Sequence, residues 1–192
     1  MHVDILDGTL FPVTNWFDAK AVGALRTPVK FELHFMVENP LPILKAWHHR
    51  VEGVIRAIVH AEMKRPMGAV LEAITDVYKL EAGLAVNPET PLTAIHDYLH
   101  AIDQLTVMGV HPGSSGQAFL GKSILEKIAQ AHGHRPDLAI EIDGGVTGEN
   151  LRALVDAGAA RICAASLLFS AKDPLDALRK AQAGASTRRN AA

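Results

Sequence analysis

One cysteine, Cys163, is all that the 192 residues contain. No intrachain disulfide can form, which fits a reducing, cytoplasmic setting. Cys163 lies in an apolar strand-like run and reads as buried filler rather than as a nucleophile. Charge of one sign is not in excess either: 19 Lys and Arg face 21 Asp and Glu, a net charge of −2. That balance argues against a nucleic-acid or polybasic membrane surface, while leaving room for a small local basic pocket. No apolar run approaches membrane-spanning length, and no leader is expected ahead of the fold. No low-complexity linker interrupts the chain. A single domain over 1–184 is expected, followed by a flexible, small and polar tail over 185–192.

What is present is alternation. Strand-like runs recur at 2–6, 30–37, 54–60, 81–86, 104–110, 138–142 and 160–164, with starts roughly 25 residues apart, the length of one βα unit. Amphipathic helices are expected between them at 40–47, 67–78, 123–131, 148–157 and 174–183. In the second of these, Val70, Leu71, Ile74 and Val77 share one predicted face. Thr90-Pro91 reads as an N-cap followed by proline at the first helical position. Seven strands alternating with helices predict a parallel α/β fold. Periodicity leaves both a doubly wound sheet and a (βα)8 barrel open, and the count is one strand short of a closed eight-strand barrel.

The chain is organised around Leu138-Ala-Ile-Glu-Ile-Asp143-Gly144-Gly145-Val146-Thr147. A short apolar strand stops at an acid, two glycines follow, and Thr147 is placed to cap a helix. Asp143 then stands at the carboxyl end of a strand, where parallel α/β folds bind ligands. Gly144 and Gly145 would let backbone N–H groups approach an anion. Taken alone, the stretch also reads as a plain strand-to-helix turn. Other polar groups fall on or after strand-like runs: His2 and Asp4, His34, His60 and Glu62, Asn87, Met108 and His111, and Ser166. His2 and Asp4, two apart on one strand, share a face. Two histidines and two carboxylates suit a borderline divalent metal, although their spacing is not that of a compact ligand motif. His34 alone also reads as a satisfied core histidine.

Six segments occur in a telling order: His2-Val-Asp-Ile-Leu-Asp-Gly, Glu32-Leu-His-Phe-Met-Val-Glu, Val59-His-Ala-Glu, Gly83-Leu-Ala-Val-Asn-Pro-Glu-Thr-Pro-Leu, Val107-Met-Gly-Val-His-Pro-Gly and Glu141-Ile-Asp-Gly-Gly-Val. Together, over 2 to about 182, they resemble the ribulose-phosphate 3-epimerase family and its ribulose-phosphate-binding barrel. The resemblance implies a TIM (βα)8-type barrel, N-terminally truncated to about seven parallel strands. It implies an isomerase of the pentose phosphate pathway that inverts C3 of a phosphorylated ketose through an enediolate. Ribulose 5-phosphate to xylulose 5-phosphate is the best single substrate pair. It implies Asp4 and Asp143 as the acid–base pair, and one divalent ion (zinc, iron(II), manganese or cobalt) on His2, Asp4, His34 and Asp143. It places substrate and phosphate at His34, at Gly113, Ser114, Ser115 and Gly116, at Gly144, Gly145 and Val146, and at Ala165 and Ser166. Met36 and Met108 match sulfur-bearing side chains that line the family's site, and read equally as core methionines. A homo-oligomer, with no nucleic-acid or membrane partner, is expected.

The departures from the pattern are local. The family's first strand and helix are absent, with a substrate-contacting serine, so 2–6 and 160–164 are expected to be edge strands prone to self-association. Ser114 and Ser115 stand where the family usually has Phe-Gly. Ala165 stands where it usually has glycine, and Thr9-Leu-Phe-Pro-Val replaces His-Phe-Val-Pro-Asn. An allulose-6-phosphate 3-epimerase is the nearest rival enzyme. A non-catalytic phosphosugar-binding relative is weakened by the retention of both Asp4 and Asp143. A decarboxylase on the same barrel would show Asp-x-Lys-x-x-Asp, and the run Asp4-Ile-Leu-Asp7 has no lysine.

Overall fold

A computed structural model describes residues 1–114 and 116–186. Seven strands form: β1 (His2–Ile5), β2 (Phe31–Phe35), β3 (Val54–His60), β4 (Glu81–Val86), β5 (Gln104–Met108), β6 (Ala139–Asp143) and β7 (Arg161–Cys163). The helices are α1 (Ala19–Gly23), α2 (Pro40–Arg50), α3 (Met67–Glu72), a 3-10 helix (Leu92–Ala101), α4 (Lys122–His134), α5 (Leu151–Ala157), α6 (Ala165–Phe169) and α7 (Pro174–Ser186). The strand order is β1-β2-β3-β4-β5-β6-β7, strictly sequential. A doubly wound sheet reverses its order at a switch point, whereas a barrel does not. Sequential parallel strands, each leading through a helix to the next, therefore identify the TIM-type arrangement, here with seven strands and with β1 and β7 holding the two end places.

The chain divides into two compact units, residues 1–106 and 107 onward. In the first, β1, β2, β3 and β4 pair in parallel. Strands covered on both faces read as continuous apolar runs, and Ala57, Ile58, Val59, Leu84, Ala85 and Val86 are fully buried. Leu44 and Trp47 of α2 and Leu71 of α3 close over them. In the second unit β6 pairs in parallel with β7. Ile140 and Ile142 of β6, Ile124 and Ile128 of α4 and Leu154 of α5 are fully buried there.

Several local expectations are corrected. Val77 does not lie on a buried face; it is 71% exposed. After α3 the chain widens into a π-turn over Ala73–Val77, closed by the Tyr78 N–H donating to the Ala73 carbonyl at 3.1 Å. The extra residue in that turn rotates Val77 off the stripe set by Val70, Leu71 and Ile74. Thr90 does not cap an α-helix: Pro91 precedes a 3-10 helix, and the Thr90 hydroxyl is used by Glu62. Thr147 lies one turn too early, because α5 begins at Leu151 after Asn150. Asn150 N–H donates to Thr147 Oγ1, and Thr147 N–H donates to Asn150 Oδ1, a reciprocal bracket that precedes the helix. Two short helices escaped the periodicity. α1 is nucleated by Asp18, whose carboxylate accepts from the N–H groups of Lys20 and Ala21. α6, with five residues, is too short to show a period. Ala185 and Ser186 belong to α7, and the remainder of the expected tail, 187–192, lies outside the described residues.

Candidate active site

In the first unit the register of β1 against β2 sets Asp4 beside His34 and His2 beside Glu32. Alternation puts His2 and Asp4 on the same face, so the two side-chain pairs stack one above the other. His2 opens β1 rather than closing it, yet its ring still reaches Asp4, because β1 has only four residues. His2 Nε2 lies 3.1 Å from Asp4 Oδ1 and 3.2 Å from His34 Nδ1. His34 Nδ1 lies 3.0 Å from the same Asp4 oxygen.

This triangle has the dimensions of a metal centre. Ligands about 2.0–2.2 Å from a tetrahedral zinc are about 3.3 Å from each other. Two imidazole nitrogens and a carboxylate oxygen at 3.0–3.2 Å match that spacing and that donor chemistry. Converging lone pairs are stable only when they enclose positive charge, either a shared proton or a metal ion. Burial opposes ionisation of Asp4, but hydrogen bonds and charge from His2 and His34 outweigh it and hold the carboxyl well below the usual carboxylate range.

The outer ring nitrogens of both histidines are anchored. His2 Nδ1 sits 3.0 Å from Glu32 Oε1, and Glu32 Oε2 accepts from Arg56 Nη1 at 2.6 Å. Arg56, 5% exposed, also donates from Nη2 to Glu81. Burial opposes its charge, and the two carboxylates more than offset that, raising its pKa above the ordinary guanidinium value. His34 Nε2 lies 2.9 Å from His60 Nε2, the rings stacked at 4.9 Å and 15°. His60 Nδ1 is 2.8 Å from Glu62 Oε2. Glu62 Oε1 accepts from the Asn87 N–H at 2.8 Å and from the Thr90 hydroxyl. Burial would raise the Glu62 carboxyl, but hydrogen bonds from His60 and Thr90 lower it overall.

Apart from Met36, the second unit carries the remaining expected residues. Asp143 is the last residue of β6, and its carbonyl accepts from the Gly109 N–H at 2.7 Å. Gly144 and Gly145 follow with φ of 94° and 70°. A Cβ on Gly144 would fall 2.4 Å from Val110 Cγ2, and one on Gly145 2.7 Å from Phe119 Cα, so no side chain fits at either position. Val146 is buried. Gly113, Ser114 and Gly116 lie in the loop after β5, where Gln117 Nε2 donates to the carbonyls of His111 at 2.7 Å and Ser114 at 2.8 Å. Ser115 lies outside the described residues. Ala165 and Ser166 open α6 and are exposed. Met36 and Met108, just past β2 and at the end of β5, are both buried. Cys163 is half-buried at the end of β7.

Sequence reasoning passed over Glu32, Arg56 and Glu81, and named His60 only as a polar group on a strand-like run. Period-two spacing from His34 to Glu32 was available as a signal. The Arg56 partners were not, because they come from the register of three separate strands.

Residues 1–169 match the ribulose-phosphate 3 epimerase family. The chain is 32% identical to the chloroplastic ribulose-5-phosphate-3-epimerase of Arabidopsis thaliana, across 93% of this chain and 65% of that protein. It therefore spans just under two thirds of that relative's length. It is 34% identical to ribulose-phosphate 3-epimerase of Aquifex aeolicus, across 90% of this chain and 78% of that one. Among solved structures it is similar to KGPDC from Streptococcus mutans, with a TM-score of 0.70, 16% identity, and coverage of 90% and 79%. It is also similar to orotidine 5'-monophosphate decarboxylase from Sulfolobus solfataricus, with a TM-score of 0.63, 17% identity, and coverage of 88% and 80%. At such identities the structural likeness speaks for the fold alone.

Proposed function

The chain belongs to the ribulose-phosphate 3-epimerase family, and from that premise we propose that it is a metal-dependent epimerase interconverting ribulose 5-phosphate and xylulose 5-phosphate. The observation that carries the reading is the triangle of His2, Asp4 and His34, a divalent-metal donor set that includes a carboxylate assigned to proton transfer. In this reading the metal is held by those three residues, with Asp143 as a further ligand. When bound, the ion supplies positive charge next to the substrate oxygens.

The work left to the chain is proton transfer. One of Asp4 and Asp143 removes the C3 proton from one face of the sugar. The C–H electron pair becomes the C2–C3 double bond and the carbonyl π pair moves onto the C2 oxygen, giving an enediolate. The other carboxylic acid then returns a proton to C3 from the opposite face, so atoms balance and only configuration changes. Both acids stand at the carboxyl ends of their strands, the side on which TIM-type enzymes bind substrate. The Gly144-Gly145 turn, the loop of Gly113, Ser114, Ser115 and Gly116, and Ala165-Ser166 hold the phosphate. Met36 and Met108 contribute polarizable apolar surface. The same reading makes the protein a cytoplasmic homo-oligomer. Support comes from exposed Trp16 and Phe169, 70% and 72% accessible, and sedimentation at micromolar concentration tests it. No described helix is long and apolar enough to cross a membrane.

The test is proton exchange in deuterated water with ribulose 5-phosphate, using protein loaded in turn with zinc, iron(II), manganese or cobalt. Incorporation of deuterium at C3 together with xylulose 5-phosphate is the expected result. Binding without exchange would make the protein a phosphosugar binder. Turnover of allulose 6-phosphate alone would move the substrate class to six-carbon sugars.

A further inference from the structure

His60 and Glu62 belong to none of the groups assigned to metal, substrate or proton transfer, yet they are firmly held. His60 is fully buried, and its two ring nitrogens meet Glu62 at 2.8 Å and His34 at 2.9 Å. Glu62 faces donors: the Asn87 N–H and the Thr90 hydroxyl at Oε1, and His60 at Oε2. A carboxylate so placed only accepts. His60 therefore carries its hydrogen on Nδ1, and a neutral imidazole then offers a lone pair at Nε2. The hydrogen between the two rings must come from His34 Nε2. That leaves the His34 lone pair on Nδ1, the atom 3.0 Å from Asp4 Oδ1 and 3.2 Å from His2 Nε2.

We propose that Glu62 is a positioning residue that acts through His60 to set the tautomer of His34, and so aims the Nδ1 lone pair of His34 at the divalent ion. The inference rests on the metal reading of the His2, Asp4 and His34 triangle. The other histidine ligand is fixed differently, since His2 Nδ1 meets Glu32 directly at 3.0 Å. Two carboxylates thus orient the two imidazoles, one by contact and one through an intervening ring. Partners of this kind at the outer nitrogen fix tautomer and ring direction, and their loss costs about 10–100-fold in metal affinity.

Replacement by the amide makes the claim sharp. In Glu62→Gln one side-chain atom accepts and the other donates. The Asn87 N–H is part of the main chain and cannot turn away, so the amide oxygen is drawn to it and the NH2 group faces His60. His60 then holds its hydrogen on Nε2, and His34 is forced to carry one on Nδ1, against the ion.

The experiment is long-range proton–nitrogen correlation of the histidine rings in the metal-free, nitrogen-15-labelled chain, at about pH 8, above the ordinary imidazole range. Zinc affinity is measured alongside by competition with a chelator. The wild-type chain is expected to show Nδ1–H at His60 and Nε2–H at His34. Glu62→Gln is expected to reverse both and to weaken zinc by about 10–100-fold. An Nδ1–H tautomer at His34 in the wild-type chain overturns the proposal without any variant, which also covers a variant that fails to fold. A folded Glu62→Gln with unchanged tautomers and unchanged affinity overturns it as well. Because the spectrum is read without metal or sugar, zinc binding with the wrong tautomer removes only this inference. A wild-type chain that binds no divalent ion removes the metal reading and this inference together.

Discussion

At the scale of single residues, the site depends on atoms whose loss has separable effects. Asp143 is assigned both to the metal and to proton transfer. Asp143→Asn is expected to stop exchange of the C3 proton with solvent, by roughly 10²–10⁴ for the acid–base role alone. The check is deuterium uptake in a folded, zinc-loaded variant, and near-normal uptake there would take Asp143 out of the mechanism. The meeting of His2, Asp4 and His34 was legible in the sequence because each sits in a short motif on a strand. Glu32, Arg56 and Glu81 were not, although the buried Arg56 bridges the two carboxylates. Their meaning appears only when β2, β3 and β4 are aligned, and alignment across strands is not written in any local pattern.

At the scale of elements, all seven strands were legible, because apolar runs bounded by turn residues survive any rearrangement of the helices. The helices were less so. A π-turn at Ala73–Val77 and a 3-10 helix at Leu92–Ala101 obey neither the 3.6-residue period nor the usual capping rules. The turn after β6 allows a direct test. Gly144→Ala would require a left-handed residue at φ 94° and a methyl group 2.4 Å from Val110. Conformation alone costs about 1–2 kcal/mol, and the clash adds to it. Urea unfolding of the variant is expected to show at least that loss, and an unchanged midpoint would mean that the turn rebuilds itself. The loop after β7 carries a contrasting prediction. Ala165, which the proposed function sets against the phosphate, carries an exposed methyl. Ala165→Gly is expected to lower the KM for ribulose 5-phosphate, and a raised KM would place the phosphate elsewhere.

At the scale of the whole molecule, metal and stability are linked. An ion that binds only the native chain stabilises it by about 2.7 kcal/mol at a hundred times its Kd. For a chain of this size each kcal/mol moves the Tm by roughly 2–4 °C. Zinc is therefore expected to raise the melting temperature by about 5–10 °C, and a chelator to reverse the rise. A Tm indifferent to both would remove the ion from the native state. The sequential strand order was only half legible: alternation of strands and helices predicted a parallel α/β fold, but the choice of barrel over doubly wound sheet came from the family resemblance. The reason is that connection handedness and order are properties of the assembled sheet, not of any one segment.

Arg56, held between Glu32 of β2 and Glu81 of β4, has a consequence for how the chain finds its structure. A guanidinium with a carboxylate on each side works as an alignment key. If β3 slipped by one residue, Arg56 would turn to the opposite face and both acids would lose their cation. Glu32 would then be free to swing, and His2, which leans on it, would lose its aim. Metal uptake would therefore select for chains whose first strands are already in step, so that the ion acts as an inspector of assembly as well as a reagent.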